Sequence, residues 1–461
     1  MSSAERRSGG RETDSPNGHP SDEVLDALRE GESSELGETF GVAERLREVA
    51  PKVSGMTRVA GSFKKGDASK ILNAAVAQAE QLTFRGGTIN FTTAVEVPAS
   101  VDSFVESSSF PGRKVLVRIP RGDRDQHVEM RLAPHHFAQQ ADILLRRLKN
   151  VVVPQPLWVG TSRDGDRAEI WQFFDGQEAD NAWTSPPEEA RDMIADVVVA
   201  LARRDPFLIR TFGPANEPRT CGEAHAEMLT YFRHEIEHPH WDIFGSALEA
   251  INARPTRLGT SYGGYSHPAP DLPTRLVHCD LKPSNVLVAG TGDAEQLSMG
   301  IVDVDTGMLG DPAFDLARMI LTWRMDENQA DRLIGRVEQG LGQQPQKRTL
   351  LSEEEPPRME EGLRERVGIY RKLLAYRSML LLCSMIAETV EHAPKDDPAR
   401  TARIMEEMAA ATDSRLQIYK AELGTDIIPG GEFVDQVLRC AEASKKGPKS
   451  HPRGPVRPRI E

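Results

Sequence analysis

The sequence predicts an α+β protein in two lobes, a small β-rich N-lobe followed by a larger helical C-lobe. Three observations carry that expectation. Between residues 82 and 175 the chain offers about five strand-like stretches and one helix. After Gly176 the apolar pattern turns helical. Within that helical half, the stretch Leu276–Ala317 carries two short apolar runs, Val286-Leu287-Val288 and Gly300-Ile301-Val302, separated by turn-formers, and they read as a β-hairpin.

The layout implies five segments. Residues 1–38 are rich in Ser, Gly, Glu, Arg and Pro with few large apolar groups, a composition that cannot offset the entropy cost of ordering, so disorder is expected. Residues 39–80 form a helical extension: apolar positions recur at helical spacing from Phe40 to Val53, and residues 69–82 continue the pattern. Residues 81–176 form the N-lobe and 177–440 the helical C-lobe. The Pro-, Lys- and Arg-rich end, 441–461, is expected to be a disordered basic tail.

Within the N-lobe, Gly86-Gly87-Thr88 followed by alternating β-branched residues from Ile89 to Val97 reads as strand, tight turn and strand. Glycines there let backbone approach a ligand closely, and free N–H groups in such a turn can cradle phosphates, although a plain hairpin turn has the same pattern. The run Arg113–Pro120 is a strand with Lys114, Leu116 and Arg118 on one face and Val115, Val117 and Ile119 on the other. A basic residue on that strand beneath the Gly-rich turn can pair with nucleotide phosphates, or it can be a solvated edge charge. A helix follows over Phe137–Leu148, then a buried strand from Val151 to Gly160 and another from Ala168 to Phe174. In the C-lobe, helices are expected over 187–203 and 219–237 and again beyond Ala317.

Composition narrows the function classes. The 461 residues carry a net charge of −13 with a pI near 5.5, which argues against a general nucleic-acid binder. The four cysteines, Cys221, Cys279, Cys383 and Cys440, show neither metal-ligand spacing nor a disulfide framework. The most apolar run, Met379–Ile386, is far short of the ~20 residues of a membrane span, and no signal peptide is visible behind the first charges. A cytoplasmic protein without a membrane partner is the expectation.

The hairpin carries the chemistry. Asp280 and Asn285 lie five residues apart in a loop before its first strand, and Asp303 follows its second, so all three would gather at one end. Hard oxygen ligands held together are what Mg²⁺ requires when it binds through carboxylates and substrate phosphates. A third acid nearby can orient a hydroxyl for attack, and that combination is a phosphoryl-transfer site.

These residues resemble the aminoglycoside phosphotransferase family within the protein-kinase-like fold. The weaker pieces are Gly86-Gly87-Thr88-Ile89-Asn90, Leu116–Pro120, Val153-Pro154-Gln155-Pro156 and Phe173-Phe174-Asp175-Gly176. The specific ones are His278-Cys279-Asp280 through Asn285, Ile301-Val302-Asp303, and Gly310-Asp311-Pro312-Ala313-Phe314-Asp315-Leu316-Ala317. The resemblance spans roughly residues 80–420 and implies ATP and Mg²⁺ as cofactors. It implies that Asp280 orients the substrate hydroxyl or accepts its proton, and that Asn285 and Asp303 hold Mg²⁺. It further implies that Gly86, Gly87, Thr88, Asn90 and Arg118 contact the nucleotide phosphates, and that Phe173 and Phe174 sit at the interlobe hinge beside the adenine. His278 and Asp315 would support the loop. The segment Asp280-Leu281-Lys282-Pro283-Ser284-Asn285 also resembles the protein-kinase version, in which Lys282 would reach the transferred phosphate. Asp305 is either a second metal contact or a solvated carboxylate, and Cys279 reads as a small buried residue.

One departure stands out. The helix after Arg118 offers Gln139 and Gln140 where a glutamate would pair with the strand cation, with Asp142 or Glu129 as substitutes in a different register. The leading expectation is an ATP-dependent kinase for a hydroxyl or amine of a small-molecule acceptor such as an antibiotic or metabolite. A protein kinase and a nucleotide-binding pseudoenzyme are the alternatives. Gly310 follows Asp303 by only seven positions, which leaves no room for the activation loop and peptide-holding segment of a protein kinase.

Overall fold

The computed structural model describes residues 57–60, 63–78, 85–86, 90–101, 104, 113–120, 134–161, 167–183, 186–203, 220–226, 228, 268–290, 297–343 and 358–392, together with 47, 49 and scattered positions between 402 and 439. The segments expected to be disordered, 1–38 and 441–461, lie outside the described residues, as does most of the 219–237 helix.

The N-lobe is built on an antiparallel six-stranded sheet. Its strands are β1 (Thr57–Ala60), β2 (Arg85–Gly86), β3 (Asn90–Glu96), β4 (Lys114–Pro120), β6 (Pro156–Thr161) and β7 (Arg167–Gln172), in the order β1-β6-β7-β4-β3-β2. Residues 39–80, expected as a helical extension, therefore include an edge strand, with Thr57 opposite Thr161. The four residues alternate in a β-favouring pattern too short for a helical turn to compete. Helix α1 (Lys65–Gln78) follows it and packs Ala68, Ile71, Leu72 and Ala75 against Val95, Val115, Val117, Ile119, Trp158 and Ile170 on one face of the sheet. The period-2 reading of β4 holds: its Val-Val-Ile face lies in this core, while the opposite face carries Arg118.

Helix α2 (Pro134–Leu145) crosses towards the C-lobe, and its Phe137, Ala141 and Leu145 join the large C-lobe core. The predicted strand 151–160 divides in two. β5 (Val151–Val152) pairs in parallel with β11 (Ser298–Ile301), whereas β6 belongs to the N-lobe sheet. Pro154 and Pro156 lack the N–H donors a continuous ladder requires. Gln155 between them fastens the break, its side-chain amide Nε2 donating to the carbonyls of Ala138 at 3.0 Å and Val153 at 2.9 Å.

The expected hairpin is present. β10 (Val286–Ala289) and β11 are antiparallel, from Val286 opposite Ile301 to Ala289 opposite Ser298, and β8 (Gln177–Glu178) completes the sheet β5-β11-β10-β8. β9 (Arg275–Val277) pairs with β12 (Met308–Gly310) beside it. The C-lobe helices include α3 (Ala179–Ala182), α4 (Glu188–Leu201), α5 (Pro312–Thr322), α6 (Glu327–Gly342) and α7 (Leu363–His392). Asp311 caps α5 by accepting from Ala313 N–H at 3.0 Å, and Pro312 occupies the first turn, where its missing N–H costs nothing. The other carboxylate oxygen of Asp311 accepts from Arg366 Nε at 2.8 Å, an ion pair fully buried between α5 and α7. Among the described residues, no helix is long and apolar enough to cross a membrane.

Candidate active site

The loop from β9 to β10 and the turn after β11 meet at one end of the hairpin. Asn285 closes a 3-10 turn, Pro283–Asn285, and its Nδ2 donates to the Asp280 carbonyl at 2.8 Å and to Asp280 Oδ2 at 2.9 Å. Val302 N–H donates to the Asn285 carbonyl at 3.0 Å, so Asp303 emerges beside this pair. The three oxygen-bearing residues predicted from the hairpin are thus neighbours in the structure.

Two non-glycine residues of the site are left-handed, Cys279 (φ 65°) and Asp303 (φ 56°), a conformation that persists only where surrounding contacts enforce it. At Cys279 the enforcement comes from Asp315 on the first turn of α5. Its Oδ2 accepts from His278 N–H at 2.8 Å and its Oδ1 from Cys279 N–H at 2.7 Å. Burial pushes the Asp315 carboxyl up to about 7, against the pull of those two amides. His278 is completely buried, and burial holds its imidazole below the ordinary value, hence neutral. Its Nε2 lies 3.0 Å from the Val302 carbonyl and its Nδ1 3.3 Å from Asp280 N–H, which assigns the proton to Nε2. Phe137 of α2 meets the imidazole edge-on at 5.8 Å. The same ring leaves no space for a side chain at position 307, where an added Cβ would come within 2.1 Å of it.

The Asp280 carboxylate is occupied on both oxygens. Oδ1 accepts from Arg318 Nε at 3.1 Å and Nη2 at 2.6 Å, and Oδ2 lies 3.0 Å from Lys282 Nζ. Burial alone would raise this carboxyl, but Arg318 and Lys282 outweigh it and hold the group well below the usual carboxylate range. Asp280 is therefore an anion with little appetite for a proton in the resting chain.

Asp303 behaves oppositely. Its side chain opens to solvent, yet dehydration within the cleft, followed by the carboxylates of Asp305 and Asp280, pushes its carboxyl up against the pull of Arg118 and Lys282. Excess negative charge on an open carboxylate, one residue from the backbone bond to Asn285, is a donor set suited to a hard divalent cation. Among the described residues no cluster of three or more His, Cys, Asp or Glu forms a closed metal cage. Mg²⁺ does not need one, since it binds through one or two carboxylates together with substrate phosphates. The residues fit that ion.

Arg118 of β4 meets the same turn from the N-lobe sheet. Its guanidinium is buried, with Nη1 3.3 Å from Glu169 Oε2, Nη2 donating to Asp305, and the Trp171 ring 5.2 Å away. Burial opposes its charge, but Asp305, Glu169 and Asp303 overcome that penalty and raise its affinity for the proton. Asp305 is thus an ion-pair partner of Arg118 in the resting chain. Asp142 is engaged elsewhere, paired with Arg146 one helical turn on at 2.9 Å, and Glu129 lies outside the described residues. Phe174 is buried against Gly176 and Gly300, each too close to its ring to accept a Cβ, while Phe173 remains half-buried. Gly86 pairs with Phe91 and Asn90 opens β3 opposite Pro120; Gly87 and Thr88 lie outside the described residues.

Sequence reasoning missed Arg318 and Glu169. Arg318 follows Asp315 by three on a helix, so both face the same loop, and that spacing was a readable signal. Glu169 is a lone acid inside the buried run of β7, a weaker signal that something must neutralise it.

A two-lobed α+β fold of the protein-kinase type, with this loop and hairpin between its lobes, defines a phosphotransferase. The family model described as the phosphotransferase enzyme family matches residues 103–353, more than half of the chain, and the chain belongs to that family. No curated protein matches it significantly. Solved structures similar to it include an ethanolamine kinase from Plasmodium vivax, at 14% identity over 82% of this chain and 95% of the other with a TM-score of 0.41. A choline/ethanolamine kinase family protein from Mesorhizobium loti is 17% identical over 78% and 92%, with a TM-score of 0.38. A thermostable mutant of an aminoglycoside phosphotransferase, in a ternary complex with ADP and hygromycin B, is 14% identical over 71% and 92%, with a TM-score of 0.37. At these identities and TM-scores the likeness carries no activity over to this chain.

Proposed function

We propose that the protein transfers the γ-phosphoryl group of ATP to a hydroxyl, or an amine, of a small molecule such as an antibiotic or metabolite, in the cytoplasm. The observation that supports this most is the joint placement of Asp280, Asn285 and Asp303 at one end of the hairpin, with the Arg118 guanidinium bonded to Asp305 two positions beyond Asp303. Asn285 and Asp303 would hold Mg²⁺, which when bound neutralises and bridges the nucleotide phosphates. Arg118 would draw on the same phosphates. Asp280, kept anionic, accepts the hydrogen bond of the acceptor hydroxyl and points its oxygen at the phosphorus; the proton follows only as charge develops on that oxygen. Lys282 is the more exposed of the two cations on Asp280, 34% against 14% for Arg318, and is the one free to turn to the transferred phosphate.

A small-molecule acceptor is favoured over a peptide by the path after Asp303. The chain makes one 3-10 turn, Val304–Thr306, enters β12 against β9 at once, and begins α5 at Pro312. A peptide-holding loop has no place there. The test is a screen of aminoglycosides, other hydroxylated antibiotics, amino alcohols and sugars for ATP consumption by the purified protein. An acceptor-dependent signal is expected, and Asp280→Ala should lower it by about 10²–10⁴-fold with nucleotide affinity largely kept. Near-wild-type turnover in that variant would sink the assignment.

A further inference from the structure

In protein kinases the strand cation that reaches the nucleotide is held by a glutamate on the following helix, and that ion pair must be in place for activity. Helix α2 cannot supply it. Gln139 is exposed, and the side-chain oxygen of Gln140 is buried without a hydrogen-bond partner. Neither carries charge.

Two other carboxylates face the guanidinium, Asp305 from the turn after β11 and Glu169 from the sheet itself. Arg118 of β4 and Glu169 of β7 are direct cross-strand partners, an arrangement that sets two Cβ atoms about 4.5–5.5 Å apart. Glu169 is only 2% exposed, and both its oxygens are engaged. Oε2 lies 3.3 Å from Arg118 Nη1 and accepts from Trp171 Nε1 at 2.7 Å. Oε1 stands 2.5 Å from Arg167 Nη2, a charge contact without hydrogen-bond alignment. Trp171 thus fixes the carboxylate through its N–H and covers the Arg118 guanidinium with its ring. A buried glutamate lacking partners would be strongly destabilising, so its presence in this strand requires the cations beside it.

We propose that Glu169 is the positioning residue for Arg118, supplying from β7 the carboxylate that α2 lacks. The inference rests on the phosphotransferase reading, because it assigns Arg118 to the nucleotide. It also has a consequence of its own. The pair is fixed by strand register, so the Glu169 side of the cation's anchorage does not depend on how a helix docks, while Asp305 holds the other end of the guanidinium.

The test is a double-mutant cycle on the full-length protein, with MgATP and MgGTP as probes in isothermal titration and unassisted ATP hydrolysis as the turnover readout. Glu169→Gln keeps size and shape while removing charge. It should weaken binding of the preferred nucleotide by about tenfold, the scale of one lost charge-assisted contact. In an Arg118→Met background the same change should have no further effect, because Glu169 acts through Arg118; a general structural role would give equal losses in both backgrounds. Should Glu169→Gln not fold, Glu169→Asp, which keeps the charge and withdraws it by one methylene, runs the same cycle. Binding unchanged within twofold, or additive losses, overturns the proposal alone. Wild-type protein that binds neither nucleotide overturns the phosphotransferase reading beneath it.

Discussion

Replacing Arg318 with methionine keeps the length of the side chain and removes the two contacts on Asp280 Oδ1, at 2.6 and 3.1 Å. Charge-assisted hydrogen bonds are worth about 1.5–3 kcal/mol each. Both partners here are partly exposed, 14% and 15%, and Lys282 and Asn285 still hold Oδ2, so the full sum does not apply. A net loss of about 2 kcal/mol in the orientation of Asp280 corresponds to about 30-fold in kcat. The KM for nucleotide should stay near wild type, since the guanidinium bonds Asp280 and not the residues assigned to Mg²⁺ and phosphate. The sign of the pH effect follows from the charges. Arg318 is the strongest of the groups holding the Asp280 carboxyl low, so its removal lets that carboxyl rise, and the acid limb of the kcat profile moves to higher pH. The assay is ATP turnover with the acceptor found by screening, measured across the acid range for both proteins. An unmoved acid limb together with kcat within about twofold of wild type would show that Arg318 does not position Asp280.

Asp303→Ala should weaken MgATP binding by about 10- to 100-fold in calorimetry while leaving metal-free ATP nearly unaffected; equal losses with and without Mg²⁺ would contradict the metal role. The Asp315 carboxyl is raised by burial from 3.8 to about 7. Between those values the folded chain keeps a proton that the unfolded chain has lost, so this group's contribution is complete below the lower value and vanishes as pH rises through the upper one. In urea unfolding, Asp315→Asn should therefore gain on wild type between pH 5 and pH 8, by about 2–3 kcal/mol, and a constant gap would refute the shift. Gly307→Ala forces a methyl group into the Phe137 ring, so it should destabilise the chain by about 1–3 kcal/mol and disturb the histidine that ring supports. Unfolding midpoints measure it, and a neutral variant would mean that α2 yields easily.

What the sequence made legible were features written in local pattern. The hairpin β10–β11 follows from two apolar runs, the two faces of β4 from alternation, and the start of α5 from Asp311-Pro312. The grouping of Asp280, Asn285 and Asp303 follows from the hairpin alone. Pairings between distant segments were not legible. Glu169 meets Arg118 across 51 positions of chain, and only strand register decides that the two stand opposite. The divided strand at Pro154 was misread because an apolar run broken by prolines does not say that its halves join different sheets. Local pattern leaves Asp305 open between metal and solvent, and only the fold brings it to the Arg118 guanidinium of β4.

Helix α5 presents Asp311, Asp315 and Arg318 at successive turns, one locked to Arg366 of α7, one to the backbone of the loop, one to the carboxylate of Asp280. The loop consequently inherits its coordinates from a rod. The reference points for its backbone therefore lie outside the loop, on one face of the helix. Phase is the quantity that cannot drift. Inserting one residue between Asp315 and Arg318 turns everything beyond it by about 100°, carrying the guanidinium off the loop while leaving every residue type unchanged. In this chain the spacing along one helix fixes which carboxylate oxygen of Asp280 the guanidinium meets.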